Sequence, residues 1–268
     1  MSRQVPAGPG PAPRTATRRR RDHLVAHLRG GEADIGELAS RFGVSPSTIR
    51  RDLAALASDG RVVRTYGGAV EPRHGPEPTL RAKEHTHWAE KDQIGAAAAA
   101  MAGRGDVLLV DAGSTAGRLA WHLRQRDGIT VVTNGLSALL ALVGAPGVEV
   151  IVLGGRLRRP NGALLGPEVE RALRRYQPDL AFLGADGLTP RRGLNCPSPE
   201  QASLKELMGT AARETWVLAD HWKLTAEPFA YWAALPAGTG IITDPGCPAA
   251  VRESFEQQGW LVKADGPG

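Results

Sequence analysis

The sequence predicts two domains, a small and mostly helical N-terminal domain and a larger α/β domain whose sheet is mostly parallel. Three helical segments lie before residue 60, and seven short apolar runs, mostly separated by helix-like segments, follow residue 100. A chain of 268 residues is long enough for one small and one ordinary domain. Residues 1–73 hold 13 Lys and Arg against 7 Asp and Glu, whereas the other 195 residues hold 20 against 21. This uneven charge favours a polyanion bound at the N-terminal end.

The N-terminal segment divides into a tail and a first helix. Residues 1–17 are rich in Pro, Gly and Ala and almost devoid of large apolar side chains, so we expect a disordered tail. From Arg18 onward a helical face begins, and it ends before Gly30. The apolar residues of this face are Leu24, Val25 and Leu28.

Two further helices and a hairpin follow. Asp34 is the expected N-cap of a short helix whose apolar face holds Ile35, Leu38, Ala39 and Phe42. Gly43 ends this helix, and Ser45-Pro46 begins the next one with an N-cap and a proline at the first helical position. Residues 61–69 have the pattern of a β-hairpin. Residues 18–70 therefore predict a winged helix-turn-helix, followed by a Pro-rich linker over residues 71–78.

The exposed face at the start of the third helix carries short hydroxyls and arginines, which suit phosphate oxygens and base edges of double-stranded DNA. The predicted DNA-binding residues are Ser45, Ser47, Thr48, Arg50 and Arg51, with Arg61 and Arg64 in the wing. Arg18 to Arg21 form a further basic arm, and Asp52 is interpreted as a structural partner of a nearby arginine. The alternative is a three-helix packing module without a ligand.

Residues 18–70 resemble the N-terminal domain of the DeoR family of bacterial transcriptional regulators. The stretches that carry the resemblance are Val44-Ser45-Pro46-Ser47-Thr48-Ile49-Arg50-Arg51-Asp52-Leu53 and Arg64-Thr65-Tyr66-Gly67-Gly68-Ala69. Tyr66 stands where the family pattern favours His. The resemblance implies a DNA-binding regulator.

The second domain begins with a predicted helix over residues 80–102, and uninterrupted apolar runs follow. The runs are Val107–Val110, Ile129–Val132, Val148–Leu153, Leu180–Leu183, Trp216–Leu218, Ile241–Ile242 and Trp260–Val262. Because helix-like segments separate most of them, the pattern predicts a parallel sheet covered on both faces.

Polar residues stand where these runs end, which is the edge of an open α/β sheet at which ligands bind. The turn from Asp111 through Gly113 to Ser114 and Thr115 has the make-up of a phosphate cradle, although a plain strand-to-helix turn with a capping hydroxyl also fits. Two lysines nearby favour an anionic ligand. The predicted effector-binding residues are Asp111, Gly113, Ser114, Thr115, Asn134, Gly154, Gly155, Asp186, Lys205, Asp220 and Lys223.

The predicted sensor domain spans residues 79–263. From about residue 75 to residue 263 the chain resembles the C-terminal sensor domain of the DeoR family, which is similar in fold to ribose-5-phosphate isomerases and typically binds sugar phosphates. The resemblance implies a homo-oligomeric repressor of carbohydrate metabolism genes. A phosphorylated sugar that binds to the C-terminal domain is expected to control it. It implies neither catalytic residues nor a metal or other cofactor. Gln201 stands where the family usually has Glu, and His221-Trp222 replaces a small residue and Ser. Trp222 is expected to narrow the site or to stack on a ring.

Other classes of protein are weighed against this interpretation. No apolar stretch of 18 residues and no signal peptide can be read, so we expect no membrane association. Cys196 and Cys247 lack metal or disulfide spacing, which suits a reducing cytoplasm. One alternative is a sugar-phosphate isomerase fused to a DNA-binding unit, with Asp111, Asp186 or Asp220 as a base. Another is a DNA-architectural protein with a degenerate sensor.

Overall fold

The computed structural model describes residues 13–28, 33–58, 61–64, 68–70 and 77–264. It divides the chain into two compact units, residues 1–76 and 77–268. The predicted helix end at Gly30, the resemblance at Tyr66 and most of the predicted tail and linker lie outside the described residues. None of the described helices is long and apolar enough to cross a membrane.

The first unit contains three helices and three short strands. The elements are α1 (Pro13–Leu28), β1 (Ala33–Asp34), α2 (Ile35–Phe42), α3 (Pro46–Ser58), β2 (Val63–Arg64) and β3 (Gly68–Val70). Helix α1 begins five residues before the predicted start at Arg18, so residues 13–17 are helical and not part of a disordered tail. Pro13 occupies the first helical position, where a missing N–H costs nothing.

The helix-turn-helix forms as predicted. Asp34 accepts a hydrogen bond from the Glu37 N–H and caps α2, and Gly43 ends it in the left-handed conformation at φ +61°. The Val44 N–H then donates to the Ala39 carbonyl across the turn. The helices pack through fully buried side chains, namely Leu24, Leu28, Leu38, Ile49, Leu53 and Leu56.

The wing is a three-stranded antiparallel sheet in the order β1-β3-β2. The pairing of Val63 with Val70 confirms the predicted hairpin. Strand β1 was not predicted, because two residues are too few to show the alternation by which a strand is read.

The second unit is built on seven parallel strands, and every predicted apolar run overlaps one of them. The strands are β4 (Val107–Val110), β5 (Ile129–Thr133), β6 (Val148–Val152), β9 (Leu180–Gly184), β12 (Glu214–Leu218), β14 (Gly240–Ile242) and β15 (Leu261–Lys263). Their order in the sheet is β15-β14-β12-β9-β4-β5-β6.

Helices cover both faces of this sheet, as predicted. One core lies under α5 (Trp88–Ala100), α6 (Ser114–Leu123) and α7 (Leu136–Leu142). The opposite core lies under α8 (Pro167–Leu173), α9 (Pro199–Ala211) and α10 (Ala249–Glu256).

The single helix predicted over residues 80–102 is two helices, α4 (Leu80–His85) and α5. The helical conformation is interrupted at Thr86 and His87, and His87 has a left-handed φ of +51°. The Lys91 ammonium donates to the carbonyls of Lys83 and Thr86 at the end of α4. The Lys83 carbonyl also accepts from the N–H of Thr86, the C-cap residue of α4, so Lys91 adds a second bond to the end of this helix.

Short antiparallel strands, which the sequence analysis did not predict, border the main sheet. Strands β7 (Arg156–Arg158) and β8 (Ala163–Leu165) form a hairpin. Strands β10 (Gly187–Thr189), β11 (Gly193–Cys196) and β13 (Tyr231–Ala233) form a small sheet. A 3₁₀ turn over His221–Lys223 follows β12.

The second unit begins earlier than predicted, at Glu77, which the sequence analysis placed in the linker. The Glu77 side chain is only 2% exposed and pairs with the guanidinium of Arg158. A carboxylate is buried in this way only when it is paired, so Glu77 is an anchored part of the second unit.

Candidate functional site

A polar cavity lies at the carboxyl ends of the parallel strands in the second unit. Its volume is about 30 Å³, enough for about two water molecules. Its lining comes from α4, from the loops after β4, β9 and β12, from the start of α6, from α9, and from the β7–β8 turn. The lining residues are Lys83, Ala112, Gly113, Ser114, Thr115, Asn161, Gly184, Ala185, Asp186, Gln201, Lys205 and Lys223.

The predicted phosphate cradle forms one wall of the cavity. Strand β4 leads through Gly113, whose φ of +132° favours glycine, into the N-terminus of α6. Ser114 and Thr115 open this helix and are buried. The buried Thr115 hydroxyl has no hydrogen-bond partner among the described residues. A helix N-terminus with a buried hydroxyl is suited to the oxygens of a bound anion.

Lys205 lies on the opposite wall and is held by Asp111. Its ammonium donates to the Asp111 carboxylate and, at 2.7 Å, to the Gly184 carbonyl. Burial opposes the charged form of Lys205 most strongly, but the charge and hydrogen bond of Asp111, together with the nearby Cys196 and Asp186, raise the pKa of the lysine. Asp111 also accepts from the N–H groups of Ala112 and Gly184. Asp111 therefore lies behind the lining and positions Lys205.

Lys223 completes the predicted pair of cations. It lines the cavity from the 3₁₀ turn after β12, and its ammonium lies 3.2 Å from the Asp220 carboxylate. Asp220 is fully buried behind it. Like Asp111, Asp220 supports a lysine and does not line the cavity itself.

Lys83 is a third cavity lysine, which the sequence analysis missed. Its ammonium contacts Asp186 at 2.6 Å and Glu77 at 3.3 Å. Burial would lower the pKa of Lys83, but these two carboxylates raise it. Burial would likewise raise the pKa of Asp186, yet Lys83, followed by Lys223 and Lys205, lowers it to about 2. Both groups are charged at neutral pH.

Gln201 lies at the cavity, in accordance with the prediction that this departure from the family pattern is near the site. It stands in the first turn of α9, where its N–H donates to the capping hydroxyl of Ser198. The side chain is buried, and its Oε1 atom has no hydrogen-bond partner among the described residues. With Asn161 it offers uncharged hydrogen-bonding groups beside the three lysines.

Besides Asp111 and Asp220, three more residues predicted to bind the effector do not line the cavity. Asn134 is buried at the end of β5 and donates to the Leu164 carbonyl. Gly154 and Gly155 form the turn before β7 with φ values of +82° and +95°. A Cβ atom at Gly155 would lie 2.6 Å from the Leu165 carbonyl oxygen, so close packing accounts for this glycine.

Trp222 also lies outside the lining and does not narrow the cavity. Its side chain is 62% exposed and stacks on the His87 ring at 5.5 Å. Its neighbour His221 is fixed by Asp244, whose carboxylate lies 2.7 Å from Nδ1 of the imidazole.

The predicted DNA-binding surface of the first unit lies at the start of α3. The Ser45 hydroxyl caps the helix and lies within 3 Å of the hydroxyls of Ser47 and Thr48. Ser45, Ser47, Arg50 and Arg51 are exposed and Thr48 is half-buried. Within the described residues no ion pair engages either Arg50 or Arg51.

Other basic residues of this unit are engaged within it. Asp52 is buried and accepts from Nε of Arg20 at 2.6 Å and of Arg21 at 2.9 Å, as its predicted structural role requires. Two members of the predicted basic arm are therefore internal ion-pair partners. Arg61 pairs with Asp22 at 2.8 Å. Arg64 lies in β2, and its side chain is outside the described residues.

Comparisons with known proteins assign both units to the same family. Residues 20–74 match the DeoR-like helix-turn-helix domain, and residues 86–245 match the DeoR C terminal sensor domain. The chain is 35% identical to the HTH-type transcriptional regulator GlpR of Haloferax volcanii over 91% of this chain and 95% of that protein. It is 33% identical to the transcriptional repressor AccR of Agrobacterium fabrum over 86% and 91% of the two chains. The HTH-type transcriptional repressor GlcR of Bacillus subtilis is 32% identical over 83% and 85%.

Among solved structures, ribose 5-phosphate isomerase A from Methanocaldococcus jannaschii covers 50% of this chain and 52% of its own. The identity is 19% and the TM-score is 0.37. A likeness of this size supports no conclusion about function.

Proposed function

The chain belongs to the DeoR family of DNA-binding transcriptional regulators, and from this premise we propose that it represses carbohydrate metabolism genes under the control of a phosphorylated sugar. The observation that carries the proposal is the cavity of the second unit. Three lysines meet there with a buried hydroxyl at the N-terminus of α6 that has no hydrogen-bond partner in the described part of the chain. This combination selects an anion that also carries hydrogen-bonding groups.

The phosphate group of the effector binds between the start of α6 and the lysines. The N–H groups and hydroxyls of Ser114 and Thr115 donate to phosphate oxygens, and Lys205 and Lys223 neutralise their charge. Asp186, Gln201 and Asn161 bind the hydroxyl groups of the sugar. Carboxylate and amide oxygens accept hydrogen bonds from such hydroxyls, and amide nitrogens donate to them.

The size of the cavity implies that binding is accompanied by movement. Small-molecule sites enclose on the order of 300 Å³ or more, whereas this cavity measures about 30 Å³. An effector therefore has to displace lining side chains. The lysine–aspartate pairs are the contacts with which a phosphate competes directly.

The first unit reads DNA through the start of α3. Arg50 and Arg51 contact base edges or phosphates, and Ser45, Ser47 and Thr48 donate hydroxyl hydrogen bonds to the backbone. We propose a homo-oligomer whose paired units bind half-sites ~34 Å apart or a multiple of that distance. We propose sensing without turnover, since the relatives that match most of the chain bear the names of regulators.

A thermal-shift comparison tests the effector site. The probes are ribose 5-phosphate, glucose 6-phosphate and fructose 6-phosphate, each beside its unphosphorylated parent and sodium chloride of equal ionic strength. A ligand that binds only the folded state raises Tm. We expect a rise with at least one phosphate and none with its parent.

Thr115→Val is the matched variant. Because the Thr115 hydroxyl has no partner among the described residues, its removal leaves the Tm of the free protein unchanged or higher. Loss of a hydrogen bond to a charged phosphate weakens effector binding by about tenfold or more. A wild-type protein that binds DNA yet responds to none of the phosphates would contradict the proposed effector class.

A further inference from the structure

We propose that Lys83 binds the effector and reports occupancy of the cavity to Glu77, the residue at which the chain enters the second unit from the DNA-binding unit. This inference rests on the proposed function, because it assigns the residue through which that site acts. Lys83 lies in α4, lines the cavity and contacts Asp186 and Glu77 with the same ammonium group.

The position of Lys83 distinguishes it from the other two cavity lysines. Lys205 and Lys223 pair with Asp111 and Asp220, which follow strands of the main sheet. Lys83 pairs with Asp186, which lines the cavity, and also with Glu77, which does not line it and is the first residue of the second unit. Among the three, Lys83 alone therefore joins the cavity to the segment that leads to the DNA-binding unit.

Glu77 is shared between two cations. Its carboxylate pairs with the guanidinium of Arg158 and with Lys83, whose side chain is 17% exposed against 2% for Glu77. Glu77 and Asp186 together balance the charges of Lys83 and Arg158. A change at any member of this group therefore alters the electrostatic environment of the others.

A bound phosphate disturbs this balance from the side of the cavity. A phosphate monoester carries about −1.5 to −2 charges at neutral pH and accepts strong hydrogen bonds from an ammonium group. It competes with Asp186 and Glu77 for Lys83 and repels the Asp186 carboxylate. As the ammonium turns toward the phosphate, Glu77 keeps Arg158 but loses half of its cationic partners.

The backbone of α4 is fixed during this exchange. The buried Lys91 ammonium donates to the carbonyls of Lys83 and Thr86, so the last turn of the helix is held to α5. The response to the ligand is thus confined to the Lys83 side chain and passes to Glu77. The charge partners of Glu77, the first residue of the second unit, then differ between the free and bound states, as coupling between two sites requires.

The test measures coupling separately from effector binding. The DNA is a duplex selected from a random pool by the wild-type protein, and the effector probe is the one of the three named sugar phosphates that raises Tm most. Calorimetry gives the effector Kd, and DNA affinity is measured without effector and with saturating effector. In the wild type we expect saturation to change DNA affinity by about tenfold or more.

Glu77→Gln is the informative variant. It removes the charge that reports occupancy, and because Glu77 lies outside the cavity lining and competes with the phosphate for Lys83, effector binding does not weaken by more than about threefold. The change in DNA affinity at saturation falls below about threefold. Lys83→Met weakens effector binding by about tenfold. It also abolishes the change in DNA affinity that saturating effector causes in the wild type. The matched control is Lys223→Met, which weakens effector binding but keeps the full change in DNA affinity once saturated.

The outcomes separate this inference from the proposed function. If no sugar phosphate stabilises the wild type, the effector site itself is wrong, and the inference falls with it. If an effector binds and changes DNA affinity, but Glu77→Gln retains the full change, the inference alone is overturned. If Lys223→Met also loses the change in DNA affinity at effector saturation, the inference is overturned. Coupling would then depend on any cavity lysine and not on Lys83 in particular.

Discussion

Lys205 and Asp111 form a buried ion pair that joins α9 to the carboxyl end of β4. The side chains are 11% and 4% exposed, and the lysine also donates to the Gly184 carbonyl at 2.7 Å. A pair of this kind has to offset the cost of removing two charges from water. The extra bonds from the N–H groups of Ala112 and Gly184 to Asp111 contribute to that offset.

Replacement of Lys205 by Met leaves the Asp111 carboxylate buried without a cation. We expect the free energy of unfolding to fall by about 3 kcal/mol or more, as measured by urea denaturation followed by circular dichroism. The double variant Lys205→Met/Asp111→Asn carries no uncompensated charge and should recover part of the loss. A loss below about 1 kcal/mol in the single variant would mean that water reaches Asp111.

The depressed pKa of Asp186 makes its contribution to stability dependent on pH. Burial raises the pKa of Asp186, but Lys83, Lys223 and Lys205 together lower it to about 2 in the folded protein, against an ordinary value of 3.8. The unfolded chain therefore takes up a proton at a higher pH than the folded protein does. The stabilisation is fully present above pH ~4 and is lost as the pH falls toward 2.

Asp186→Asn removes this contribution, which amounts to about 2 kcal/mol at neutral pH. We expect the stability difference between the wild type and the variant to be full at pH 7 and to shrink below pH ~4. Urea denaturation of both proteins across this range measures the difference. A difference that stays constant with pH would show that lost packing, and not the ion pair with Lys83, destabilises the variant.

The sheet could be predicted from the sequence because each strand is a local apolar run, and most of these runs lead into Gly, Asn or Asp. Gly113, Ser114 and Thr115 were identified from one such strand end, and the structure places them in the cavity. Asn134 and Gly155 follow strands in the same way but serve packing, since strand ends alone do not show which side chains converge.

The contacts of Lys83 could not be predicted from a local sequence pattern. Its partner Asp186 is 103 positions away, and Glu77 meets Arg158 across 81 positions. No local pattern records such pairs. Glu77 stands among prolines, whose presence indicates an extended segment but says nothing about burial. The separate predictions of Asp111 and Lys205 as ligands likewise missed their pairing across 94 positions.

Arg50 is the residue of the first unit whose contribution to DNA recognition can be isolated most cleanly. It is exposed on α3, and no ion pair among the described residues engages it, so Arg50→Ala should leave Tm unchanged. If its guanidinium reads a base edge, the variant binds the selected duplex about 10- to 100-fold more weakly, as loss of a bidentate contact predicts. Fluorescence anisotropy with selected and scrambled duplexes measures both affinity and discrimination.

Arg50→Lys is the control for charge. It keeps the positive charge but lacks the planar fork, so affinity for scrambled DNA and its salt dependence should be retained while discrimination falls. Equal losses on selected and scrambled DNA in Arg50→Ala would contradict base reading and assign Arg50 to a phosphate. Arg61→Ala offers a contrast within the same unit, because Arg61 pairs with Asp22 at 2.8 Å and its removal alters an internal contact as well.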